Sequence, residues 1–179
     1  MKLIITLLAV FLVTALPFTS ALAILWCAGI AILHAREEYH GRLWDYFGRI
    51  TDNQWVAELG RLKGFLLIVL PALALQLTAS WMAFRYSTIQ PAPFWLGLLI
   101  GARLGDALFS HGLPTVRGRV GNPGLPTALI YHTDGLLLLV LFHVPLMASP
   151  AEAWAGALGG ALFFYSVLPL MRLTRNFRF

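Results

Sequence analysis

The feature that most constrains this chain is an absence. From residue 3 to residue 33 there is no Asp, Glu, Lys or Arg, and similar apolar runs follow. Crossing a bilayer core takes roughly 20 such residues in a helix. A helix also satisfies its own backbone hydrogen bonds where no water is available. Only 12% of the 179 residues are charged and the mean hydropathy is +0.75, whereas soluble domains carry about 25% charged residues. The composition therefore indicates an all-α integral membrane protein forming one domain. Five spans are expected, at about 3–34, 64–84, 94–112, 125–147 and 153–171, joined in one bundle.

The first run, "MKLIITLLAVFLVTALPFTSALA", has the Lys, apolar core and small-residue end of a signal peptide. It is taken here as retained, opening a long first helix that tilts or kinks at Pro17. A re-entrant start is the alternative. The single cysteine, Cys27, lies in this helix and excludes a disulfide within the chain.

The net charge is +5, and the basic residues gather in particular loops. Arg36, Arg42, Arg49, Arg61 and Lys63 lie between the first two spans, Arg117 and Arg119 between the third and fourth, and Arg172, Arg175 and Arg178 in the tail. The opposite loops hold only Arg85. The positive-inside rule then places the N-terminus outside and the C-terminus in the cytoplasm. Such a distribution suits anionic lipid and not nucleic acid.

Segment 41–63 reads as interfacial. "RLWDYFGRI" mixes aromatics and arginines as the headgroup layer favours, and Thr51 with Gln54 has capping-box spacing for a short helix. The third span carries Gly97, Gly101 and Gly105, and the fifth carries Gly156 and Gly160. Four-residue spacing of small residues lets another helix approach closely, whether from this chain or from another membrane subunit.

The first span ends in "HAREEYH", residues 34–40. If the helix continues, Glu37 and Glu38 flank His34 within about 60° on either side, and Arg36 points away. Paired carboxylates near a helix C-terminus oppose its dipole. They call for a cationic partner, either side chains from other helices or a metal. The bland alternative is the wet end of a helix.

Other polar residues fall at the same depth: Asp106 and His111 late in the third span, His132 and Asp134 early in the fourth. Ionisable groups inside a membrane are expensive and tend to be paired or functional. Each has a structural alternative. Arg103 is three residues before Asp106 and can neutralise it. Asp106 and His111 lie about 140° apart on a regular helix, so they do not face one centre. Asp134 reads as solvated or capping, and His143 as a hydrogen-bonded core histidine.

Imidazole and carboxylate donors suit zinc, iron or manganese. His34, Glu37, Glu38 and His111 are the expected ligands, with Asp106, Arg103, His132 and Asn122 as further members. Without metal, His34, Glu37 and Glu38 could perform acid–base catalysis. No phosphate loop, HExxH or haem-attachment motif is present.

"HAREE", a later "SH" (Ser110, His111) and "NPGLPTAL" opening the next helix together resemble the bacterial HXXEE membrane proteins. The similarity covers about residues 20–145 and maps onto His34, Glu37, Glu38, His111, Pro123 and Gly124. Asn122 departs from the Tyr or Ser expected before the Pro-Gly, and the long N-terminal extension is atypical. The resemblance implies a multi-pass protein of the bacterial inner membrane with one shared polar site. It implies no substrate.

Three functions compete. A metal-dependent or acid–base enzyme acting on a lipid or hydrophobic small molecule requires a cavity beside His34. An accessory subunit of a larger membrane complex requires flat glycine-lined faces and a closed polar cluster. A proton or metal carrier requires polar residues through both leaflets, and the outer one is nearly empty of them.

Overall fold

A computed structural model describes residues 18–117 and 121–176. They are helical, with no strand among them. The first half of the predicted first span, Pro17, Arg119 and Arg178 lie outside the described residues. Helix α1 spans Phe18–Gly41 and so carries "HAREEYH" in its last turns. It is followed by α2 (Leu43–Thr51), the short α3 (Gln54–Ala57) and α4 (Arg61–Phe84). Helix α5 covers 93–116, α6 covers Leu125–Leu141, α7 covers His143–Ala148 and α8 covers Pro150–Leu173. Among the described residues, three helices are long and apolar enough to cross a membrane: α1, α4 and α8.

Prolines accompany the irregular turns of α4 and α5 and the break after α6. Proline lacks an N–H and its ring collides with the carbonyl four residues back. Pro71 on α4 is preceded by a π turn at Phe65–Val69, closed by Leu70 N–H donating to Phe65 O. Pro114 on α5 is preceded by a longer one, Asp106–Gly112, closed by Leu113 N–H donating to Leu108 O. Pro145 accompanies the break at Phe142, so the predicted fourth span is two helices instead of one.

Glycines fix the tightest helix pair, α5 against α8. A Cβ on Gly97 or Gly101 would collide with the carbonyls of Ala153 or Ala157. One on Gly156 or Gly160 would meet those of Phe94 or Leu98. The two small-residue faces are thus consumed by each other, and any association with another subunit would have to use other surfaces.

In segment 41–63 the aromatic residues pack inward, and the cap differs from the predicted one. Leu43, Trp44, Tyr46 and Phe47 are buried in the protein, packed with Ala35, Val56, Leu59, Val69 and Met171. Thr51 does not cap α3. It ends α2, its hydroxyl donating to Phe47 O, and left-handed Asp52 turns the chain. The cap is Asn53, which accepts from Val56 N–H at 3.2 Å and donates to Met171 O at 2.7 Å. An Asn whose amide reaches α8 ties this segment to the bundle.

A second apolar cluster packs α1 (Ala21, Ile24, Cys27) against α4, α5 and α6. Where it ends on α1 and α5, the buried polar residues begin.

Candidate metal centre

Four side chains converge there: His34 and Glu38 from α1, Asp106 and His111 from the π turn of α5. All are at most 4% exposed. His34 Nε2 is 2.9 Å from Asp106 Oδ2 and 3.3 Å from Glu38 Oε1. His111 Nε2 is 3.4 Å from Glu38 Oε1 and 3.8 Å from Asp106 Oδ1. Donors around a tetrahedral ion with bonds near 2.0–2.1 Å are separated by about 3.4 Å. One ligand atom from each of the four lies within 4.8 Å of the others.

The π turn makes this possible. On a regular helix Asp106 and His111 would diverge, as expected above. The i→i+5 turn widens the spiral and brings residues five apart onto one face. The expectation that they cannot share a centre is therefore overturned, and Pro114 is the physical reason.

The histidines are oriented from behind. Thr127 Oγ1 donates to Gly124 O at 3.1 Å, so its oxygen accepts from His34 Nδ1–H at 2.6 Å. Asn122 donates through Nδ2 to His111 O and Thr115 Oγ1, leaving Oδ1 to accept from His111 Nδ1–H at 3.0 Å. With both Nδ1 atoms turned outward to these partners, both Nε2 atoms point inward. Among the described residues, neither Nε2 has a hydrogen-bond partner. Partners of this kind fix the tautomer and orientation of metal-bound histidines.

Gly124 closes one side. Its φ is +84°, and a Cβ there would lie 2.8 Å from His111 Cε1, 3.1 Å from Glu38 Cγ and 3.2 Å from His34 Cε1. Pro123 packs on Gly41 of α1. The "NPG" turn is thus a lid of bare backbone over the four donors. On another side, the Tyr131 ring lies 4.3 Å from that of His34. Opposite these, Glu38, Asp106 and Ser110 border a cavity of about 190 Å³ with apolar walls.

Other predicted members lie elsewhere. Glu37 is half-buried and accepts from Thr127 N–H at 3.3 Å, at the N-terminus of α6, instead of joining the four donors. The helix offers unpaired N–H groups and a positive dipole end that suit a carboxylate. Arg103 does not neutralise Asp106. It pairs with Asp134 and donates to Cys27 O at 3.0 Å. Asp134 is accordingly buried, also accepting from Trp26 Nε1 at 2.8 Å, and is not solvated. His132 is exposed, away from the centre. His143 is exposed too, donating to Val140 O at the Phe142 break, and is not a core histidine.

Thr127 and Tyr131 were not singled out from the sequence. Their signal was available in the i, i+4 spacing on the helix that starts after "NPG", the face that must meet His34 if the turn covers it. No family model matches the chain, and neither a curated protein nor a solved structure similar to it was found.

Proposed function

We propose that this chain is a multi-pass membrane metalloenzyme acting on a hydrophobic substrate at a centre held by His34, Glu38, Asp106 and His111. The reading keeps the five-span topology, the cytoplasmic C-terminus and the bacterial inner membrane inferred from the sequence. Kinship with the HXXEE proteins is part of it, supported by His34, Glu38, His111, Pro123 and Gly124 meeting at one place. Exposed apolar side chains around the helices, among them Trp26, Leu33, Leu129, Val140 and Trp154, suit a lipid surrounding.

The observation that carries the proposal is the convergence of two buried imidazole Nε2 atoms and two buried carboxylates, with one ligand atom from each residue within 4.8 Å of the others. Two ionised carboxylates with two neutral imidazoles carry a charge of −2, which one divalent cation balances. Zinc, iron and manganese accept this donor set. A bound cation would supply Lewis acidity toward a substrate oxygen. The protein's own contribution is to hold the imidazoles by Asn122 and Thr127, to shut out water with Gly124 and Tyr131, and to leave the Glu38–Asp106 side open. A carboxylate on that side is also placed to take or return a proton.

The test is elemental analysis of the purified protein and of Glu38→Gln, with thermal unfolding of both. The expected result is about one metal ion per wild-type chain, most of it lost in the variant, with little change in the metal-free melting temperature. A metal-free wild type whose Glu38→Gln variant is strongly destabilised would defeat the proposal. In that case the four residues are only a buried ionic network.

A further inference from the structure

We infer that the cavity beside Glu38 and Asp106 receives one hydrocarbon chain of an uncharged lipid, with an alcohol or carbonyl oxygen as its head at the centre. The inference rests on the metal reading above for the head group and on the cavity alone for the chain.

The shape comes first. The cavity occupies the gap between α4 and α8, with Phe47 of α2 closing one end. Ile68 and Ala72 of α4 and Phe164 and Val167 of α8 form its walls, all apolar. At its rim Leu67, Pro71 and Leu170 are exposed on the outer surface. The opening is therefore lateral and rimmed by apolar side chains, so a lipid would enter from the side without leaving an apolar medium. The volume, about 190 Å³, falls below the roughly 300–1,000 Å³ of sites for drug-sized ligands. An apolar cavity of about 150 Å³ holds one benzene ring. This one accepts the head end of a single chain, the remainder extending past Leu67 and Leu170. It has no room for the head of a two-chain phospholipid.

Charge selects the head. Among the residues bordering the cavity the charged ones are Glu38 and Asp106. Arg103, the nearest buried cation in sequence, is already paired with Asp134. With a divalent ion the centre sums to zero: +2 from the ion, −1 from each carboxylate, nothing from the imidazoles. A carboxylate or phosphate head would bring a buried negative charge with no counter-ion, which is strongly disfavoured. A neutral oxygen meets no such penalty. Ser110 borders the cavity beside the two carboxylates. Its hydroxyl is placed to donate to that oxygen.

Photolabelling in detergent micelles tests this, using dodecanol bearing a diazirine, with unlabelled dodecanol and dodecanoate as competitors. Adducts are expected on α4 and α8 around Ala72 and Val167. Dodecanoate should compete at least about tenfold more weakly than the alcohol. Ala72→Phe, which fills the cavity without touching a donor, should lose the adducts while keeping its metal. Val167→Trp fills it from the other wall and serves if the first variant melts early.

Undiminished labelling in both filled variants, or equal competition by acid and alcohol, would overturn the inference and leave the metal reading standing. A metal-free wild type that still labels with the alcohol in preference to the acid would overturn the metal and keep the chain site. The two readings therefore fail separately.

Discussion

Two buried ionic clusters lie close together on α5, and they differ in one respect that matters. Arg103 and Asp134 form a closed unit: one charge of each sign, with Cys27 O and Trp26 Nε1 as further partners. His34, Glu38, Asp106 and His111 form an open one, with two acids, two inward nitrogens lacking acceptable hydrogen bonds, and a cavity on one side. A closed pair can hold helices together and needs nothing more. An open cluster leaves ligand atoms gathered at one point with a cavity beside them. The same residue types at nearly the same depth thus carry opposite expectations, and substitutions can separate them.

The largest effect is expected in the closed pair. Arg103→Met leaves Asp134 buried with no cation and should cost about 3–5 kcal/mol. Adding Asp134→Leu removes the orphaned charge and should recover most of that loss, since a buried pair is often replaceable by apolar residues. Thermal or denaturant unfolding of wild type, single and double variants would measure both. A single variant as stable as wild type would show that the pair does not organise the bundle. Neither change touches a metal donor, so metal per folded chain should stay constant.

The contrast also marks how far the sequence could be followed. The apolar runs showed where helices lie, because a long segment without charge has few other stable solutions. Gly97, Gly101 and Gly105 announced a close helix contact, and Gly156 and Gly160 proved to be its other half. The gathering of His34, Glu38, Asp106 and His111 was legible from their shared depth. Their geometry was not, because it depends on a π turn that helix periodicity ignores. Pro114, just past the predicted end of the third span, was the available clue. The partner of Arg103 was equally hidden. Asp106 is three residues away in sequence, and only the packing of α5 on α6 brings Asp134 closer.

An intermediate effect is expected behind the open cluster. Asn122→Ala removes the acceptor of His111 Nδ1–H, and Thr127→Val removes that of His34. Each should weaken metal binding about 10–100-fold, measured by competition with a chelator. Stability without metal should move less than in Arg103→Met, since neither change strands a buried charge. Unchanged affinity in both variants would mean that the imidazoles are held by packing, with Gly124 and Tyr131 sufficient to orient them.

The smallest effect should come from Glu37, and it is the most discriminating, because Glu37 and Glu38 are adjacent and chemically identical. Glu38 Oε1 lies within 3.4 Å of both Nε2 atoms. Glu37 Oε2 instead accepts from Thr127 N–H at the start of α6, where a carboxylate answers the helix dipole and an unpaired donor. Glu37→Gln keeps an acceptor oxygen and loses the charge. At a half-exposed position this should cost no more than roughly 0.3–1 kcal/mol, the usual range for a charge near a helix end. Metal per chain should match wild type, while Glu38→Gln loses most of it. Thr127 also orients His34, so a slight fall in metal affinity would be consistent with disturbing the α6 terminus. Equal loss of metal in the two glutamine variants would instead mean that Glu37 turns inward when a cation binds, making the donors those of the HxxEE motif and dissolving the division between a helix-capping and a metal-facing glutamate.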